Sequence, residues 1–113
     1  MQLQLGDAGD GILNVALIGR LDTPGVDRIE EQLTAHLVGR GTRATIDLSQ
    51  VAFIGSSAIR MFITIARALD RNGGRIALYG ARPPVAQVLQ TVSLDYIVPV
   101  RADASAAEGV VRG

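Results

Sequence analysis

The chain has 113 residues, 48% of them hydrophobic and 19% charged, with eleven basic side chains balanced by eleven acidic ones. That is the composition of one globular domain large enough to bury a core unaided, and it gives no electrostatic reason to expect nucleic acid or a membrane surface as partner. The absence of cysteine and the single histidine exclude disulfides, thiolate chemistry and a multi-histidine metal site within one chain. Every basic residue is arginine, which reads as compositional bias more than as chemistry.

Residues 2–5 alternate as Gln-Leu-Gln-Leu, the pattern of a half-buried strand. A turn cluster over Gly6 to Gly11 follows. Apolar content resumes from Ile12 to Ile18, so the two segments predict an antiparallel hairpin with a loose loop. After Gly19-Arg20-Leu21-Asp22, the pair Thr23-Pro24 opens a helix, with Thr23 as the expected cap. Val26, Ile29, Leu33 and Leu37 form its inward stripe, and Gly39 and Gly41 end it. His36 reads as an ordinary helix histidine.

Residues 44–72 organise the rest. A strand is expected over Ala44 to Leu48, then a short loop, then a helix from about Ser57 to Arg71 stopped by Gly73-Gly74. Ile59, Phe62, Ile63, Ala66 and Leu69 recur at spacings of three and four and predict its buried face. Arg60, Thr64, Arg67 and Arg71 recur on the opposite face, with Ser57 at the head of that stripe. A further strand is expected over Arg75 to Tyr79 and a helix after Arg82-Pro83-Pro84. The last strand is expected over Ile97 to Val100, with Pro99 marking an edge. A short or frayed helix closes the chain over residues 103–113. Strands alternating with helices predict a mostly parallel sheet with right-handed crossovers, made mixed by the opening hairpin.

Enzyme signatures are mostly absent. There is no G-x-S-x-G elbow and no phosphate-loop lysine, and the glycines at 6, 9 and 11 lie in a hairpin turn rather than between a strand and a helix. Asp22 and Asp47 fall near strand ends, but an acid/base pair needs unequal environments that spacing does not reveal. The informative pair is Ser56-Ser57. One reading is structural, a serine capping a helix. The other is modification, since a phosphoryl group there meets unpaired N–H groups and the positive end of the helix dipole.

The stretch IDLSQVAFIGSSAIRMF is similar to the signature of STAS domains, the family of bacterial anti-sigma factor antagonists. The matching residues are Asp47-Leu48-Ser49, Phe53-Ile54 and Gly55-Ser56-Ser57-Ala58-Ile59. Gly19-Arg20-Leu21-Asp22 resembles the family's Gly-x-Leu-Asp, and the segment from Pro84 through Leu94 to Val100 resembles its last part. The resemblance covers nearly the whole chain in order. It implies an α/β fold, a mixed sheet of about five strands with about four helices, and a non-catalytic switch without a cofactor; a start unlike a signal peptide and the lack of an 18-residue apolar run make a cytoplasmic domain the expectation. In such antagonists a serine at the position of Ser57 is phosphorylated by an anti-sigma factor serine-protein kinase; the unmodified domain binds that kinase and frees a sigma factor. Ser56 is the second choice. Asp22, Asp47, Ser49, Gly55, Ser56, Ala58, Arg60, Met61, Thr64 and Arg67 are the expected partner-binding positions, and a homodimer is admitted. Two positions depart from the family pattern, Gly55 for Asp and Ala58 for Gly. Loss of the acid beside the hydroxyl favours an alternative, an unphosphorylated scaffold subunit of a transporter or signalling complex. Nucleotide binding, suggested for some relatives, ranks last without lysine or a phosphate loop.

Overall fold

The computed structural model describes residues 1–113. Chain order is β1 (Gln2–Gly9), β2 (Ile12–Leu21), α1 (Thr23–Leu37), a 3₁₀ turn (Val38–Arg40), β3 (Arg43–Ile54), α2 (Ser56–Arg71), β4 (Arg75–Tyr79), α3 (Pro83–Thr91), a second 3₁₀ turn (Leu94–Tyr96), β5 (Val100–Arg101) and α4 (Ala104–Arg112). The five strands form one sheet in the order β1-β2-β3-β4-β5. β1 runs antiparallel to β2, and all other neighbours are parallel. The expected mixed sheet and four helices are therefore present.

The opening hairpin is tighter than expected. β1 runs on to Gly9, a bulge between Asp7 and Gly9 adjusts the register, and only Asp10 and Gly11 form the turn. Both turn residues have positive φ, 57° and 77°, as a two-residue turn matched to strand twist requires.

The main core lies between the sheet and α1, α2 and α3. Val15, Leu17, Ala44, Ile46, Leu48, Ile76 and Leu78 face Val26, Ile29, Leu33, Phe62, Ile65, Leu69, Val85 and Leu89. α4 covers part of the other sheet face, where Ala107 and Val111 bury Ile12 and Ala77. It is a packed helix rather than a frayed end: Asp103 caps it by accepting the Ala106 N–H at 2.9 Å. Beside it the Asn14 side-chain oxygen accepts the Tyr79 hydroxyl at 2.8 Å and the Thr45 hydroxyl at 3.0 Å. Burial and the nearby Asp47 charge push the Tyr79 phenol above its ordinary pKa, so it stays a neutral donor.

β3 departs most from expectation. It does not stop at Leu48 but continues to Ile54, paired there with β2 alone. Two register shifts against β2 bring Leu48, Val51 and Ile54 to the core at spacings of three instead of two. This extension carries the chain past β4 and delivers α2 beside α1.

α1 begins where β2 ends, and its first turn presses on that strand. A Cβ on Gly25 would lie 2.0 Å from the Arg20 carbonyl oxygen, a backbone atom that cannot turn aside. Gly25→Ala is therefore expected to destabilise the fold by about 1–3 kcal/mol, the usual cost of overpacking. Gly39, with nothing within 4 Å of its added Cβ, is the control: Gly39→Ala should leave the urea midpoint near the wild-type value.

Candidate functional site

β2 and β3 finish level with one another. Leu21 pairs with Ile54, and the Gly55 N–H donates to the Leu21 carbonyl at 3.0 Å. One residue later each strand turns into a helix, so the first turns of α1 and α2 start side by side. Thr23 is the first residue of α1 and Ser57 the second of α2, and their hydroxyl oxygens lie 3.5 Å apart.

The caps differ from the sequence expectation. Asp22, not Thr23, caps α1: its Oδ1 accepts the Gly25 N–H at 2.9 Å and the backbone there is extended. Gly55, not a serine, occupies the cap position of α2, and no side chain bonds to the first turn. The N–H groups of Ser56 and Ser57, at the first two helical positions, have no partner within the helix. Ser56 is exposed and Ser57 is half-buried, so the Ser57 hydroxyl is reachable from solvent beside two helix N-termini.

The rim of this turn is built from β2 and β3. The Arg20 guanidinium lies 4.6 Å from the centroid of the Phe53 ring and 3.4 Å from Asp22 Oδ2. Phe53 itself is 40% exposed, an aromatic that the core does not need. The Gly25 N–H, and secondarily Arg20, hold the Asp22 carboxyl below its ordinary pKa of 3.8.

From Ser57 the polar stripe of α2 runs outward. Arg60, Thr64, Arg67 and Arg71 are all exposed. Met61 and Ala58, expected among the contact positions, are instead 1% and 0% exposed and belong to the core. The buried stripe is Ala58, Met61, Phe62, Ile65 and Leu69; Ile59, Ile63 and Ala66 pack against it only partly buried. The helix is rolled by about one residue from the expected face.

Asp47 and Ser49 do not join this cluster. They sit where β3 leaves β4: Asp47 Oδ1 accepts the Ser49 N–H at 2.8 Å, and Arg82 Nε donates to the Ser49 carbonyl at 2.8 Å. Asp47 pairs in register with Ala16 and Tyr79, well short of the Leu21–Ile54 level that Asp22 follows, so the two carboxylates form no acid/base pair. Asp22, Gly55, Ser56 and Ser57 are brought together, with Arg60, Thr64 and Arg67 extending the surface. Arg20, Thr23 and Phe53 are the members of this surface that sequence reasoning did not single out for partner contact. Their meeting depends on β2 and β3 ending level, a register that no local sequence pattern signals. No three or more His, Cys, Asp or Glu residues come together to hold a metal, and no helix is long and apolar enough to cross a membrane.

The model of the STAS domain family matches residues 7–107. The Bordetella bronchiseptica protein BtrV, which carries the name of an anti-sigma factor antagonist, is 27% identical over 101 residues, 89% of this chain and 87% of that protein. The crystal structure of an anti-sigma factor antagonist from Mycobacterium paratuberculosis superposes with a TM-score of 0.86 at 24% identity, covering 99% of this chain and 94% of that one. The Bacillus cell fate determinant SpoIIAA, in its phosphorylated form, superposes with a TM-score of 0.68 at 21% identity, covering 96% of this chain and 99% of that one. At these identities the two structures establish the fold.

Two outcomes test the geometry of the caps. The Gly55 backbone is extended, φ −114° and ψ 179°, and an added Cβ meets only the Phe53 ring at 3.4 Å and the Leu21 oxygen at 3.7 Å. Gly55→Asp should therefore supply the missing cap and stabilise the chain by about 0.5 kcal/mol, raising the thermal midpoint by a few degrees. Asp22 has its pKa lowered on folding, so its contribution is full above pH 3.8 and is lost as pH falls through the folded value. Asp22→Asn keeps a capping oxygen but removes the titration, and should flatten the acid limb of a stability-versus-pH profile while changing little at neutral pH.

Proposed function

Because the chain belongs to the STAS domain family, we propose that it is an anti-sigma factor antagonist switched by phosphorylation of Ser57. In this reading the unmodified domain binds an anti-sigma factor that is a serine-protein kinase, and so releases a sigma factor. Modification of Ser57 breaks the complex. The observation that carries the reading is the Ser57 hydroxyl, solvent-accessible at an uncapped helix start and at the head of the arginine stripe. That a relative of this fold, SpoIIAA, exists in a phosphorylated form supports it.

The physics separates what phosphorylation does to the domain from what it does to the complex. Within the domain a phosphoryl group at Ser57 meets free N–H groups, the positive ends of two helices and the Thr23 hydroxyl. It is tolerated there without refolding. Within an interface it places about −1.5 to −2 charges where a partner is to be desolvated, and an unmatched buried charge is costly. Arg60, Thr64 and Arg67 then form the flank that reads the partner, and Phe53 a central apolar contact, as exposed aromatics commonly do.

Gly55 favours one second reading, a STAS scaffold subunit that is never phosphorylated, because the acid that neighbours the hydroxyl in the family pattern is missing. The two readings separate cleanly. With the cognate kinase and ATP, intact-mass analysis should show one added phosphoryl group on the wild type and none on Ser57→Ala. Ser57→Asp should weaken binding to that kinase at least tenfold, about 1.4 kcal/mol, with an unchanged circular dichroism spectrum. An unmodified wild type that co-purifies stably with its partner would establish the scaffold reading instead.

A further inference from the structure

The two edges of the sheet are finished differently. β5 is two residues long, and side chains occupy its outer backbone groups: Asp95 Oδ1 accepts the Val100 N–H at 2.7 Å, and Arg101 Nη1 donates to the Val100 carbonyl at 2.8 Å. Arg101 also bonds Asp95 at 2.8 Å, which locks this plug, and the Val100 N–H holds the Asp95 carboxyl below its ordinary pKa. A short, plugged strand cannot template another chain.

β1, the opposite edge, is eight residues long and has no such closure. From Gln2 to Gly6 it carries no charge and no proline. Its only side-chain bond to backbone is Asp7 Oδ1 to the Gly9 N–H, at the hairpin end. Its one bulge lies there too. Leu5 is left 43% exposed. The devices that natural sheets use to protect an edge are missing along this stretch.

We propose that β1 pairs with β1 of a second copy of this chain, antiparallel about a twofold axis at Gln4, to form a weak dimer with one continuous ten-stranded sheet. The strand is its own complement. Alternation puts Leu3 and Leu5 on the α1 side and Gln2 and Gln4 on the other. Pairing about Gln4 sets Leu3 opposite Leu5 of the other copy, twice by symmetry, Gln4 opposite Gln4, and Gln2 opposite Gly6. A slip of one residue sets leucine against glutamine and is disfavoured. A slip of two toward the hairpin sets Asp7 against Leu3. Zero net charge removes the long-range repulsion that keeps many small domains apart. A single pair of short strands buries less than the roughly 1,200 Å² of a stable complex, so the dimer forms only at high concentration.

Sedimentation equilibrium of the full chain, from roughly 1 μM to 1 mM, reads it directly. The wild type should follow a monomer–dimer equilibrium with a dissociation constant in the upper part of that range. Leu5→Lys, which removes both leucine pairs, should raise that constant about tenfold. Gln4→Lys and Gln4→Glu should each weaken self-association threefold or more, and an equimolar mixture of the two should recover a heterodimer. Urea midpoints close to wild type would show that the variants remain folded. A wild type monomeric at the highest concentration overturns the proposal. So does association that Leu5→Lys leaves intact, or charge variants that fail to complement each other.

Discussion

A single backbone hydrogen bond, from the Gly55 N–H to the Leu21 carbonyl at 3.0 Å, closes the end of the sheet that carries Ser57. It ties the end of β3 to the end of β2 after the last in-register pair. Two helices therefore leave the sheet from neighbouring points, and Thr23 and Ser57 meet. The close seat of Gly25 on the Arg20 carbonyl sets how near α1 can start to the sheet. The hydroxyl pair is a consequence of those two backbone contacts, so the site inherits the rigidity of the sheet although it lies at its rim.

Much of this was legible in the residues. Alternation marked the hairpin, 3.6-residue periodicity marked α1 and α2, and the Arg60 to Arg71 stripe fell on the exposed side as spaced. The misreadings have physical causes. Bulges in β3 moved its inward residues from a spacing of two to a spacing of three, which disguises a strand as a loop. On α2 apolar residues run along two adjacent faces, so periodicity left the roll of the helix undetermined, and Met61 was assigned to the wrong side. Serine and threonine are good caps in general, but Asp22 precedes Thr23 with the same ability and the backbone put it first. The hydroxyl pair itself joins residues far apart in sequence and depends on strand register, which no local pattern encodes.

The polar groups of the domain divide into two kinds. Asn14, Thr45 and Tyr79 are mutually satisfied next to α4, and no buried side-chain nitrogen or oxygen lacks a partner. Their hydroxyl hydrogens and the Asn14 side-chain oxygen are committed to one another. Around Ser57 the case is reversed: a helix start without a cap, a loose hydroxyl contact at 3.5 Å and an aromatic ring in solvent. Interactions left incomplete at a rigid rim are what a protein surface can offer to a partner.

Strand order in the sheet is the same as strand order in the chain. Each strand is laid against the one made just before it, with at most one helix between them, so no segment has to wait for a distant one or thread between two that are already joined. Such a chain can be zipped from its beginning as it leaves the ribosome, closing only short loops at every step. The longest circuit is closed last, by α4, which joins back to the opening hairpin through Arg112 and Asp10 at 3.2 Å.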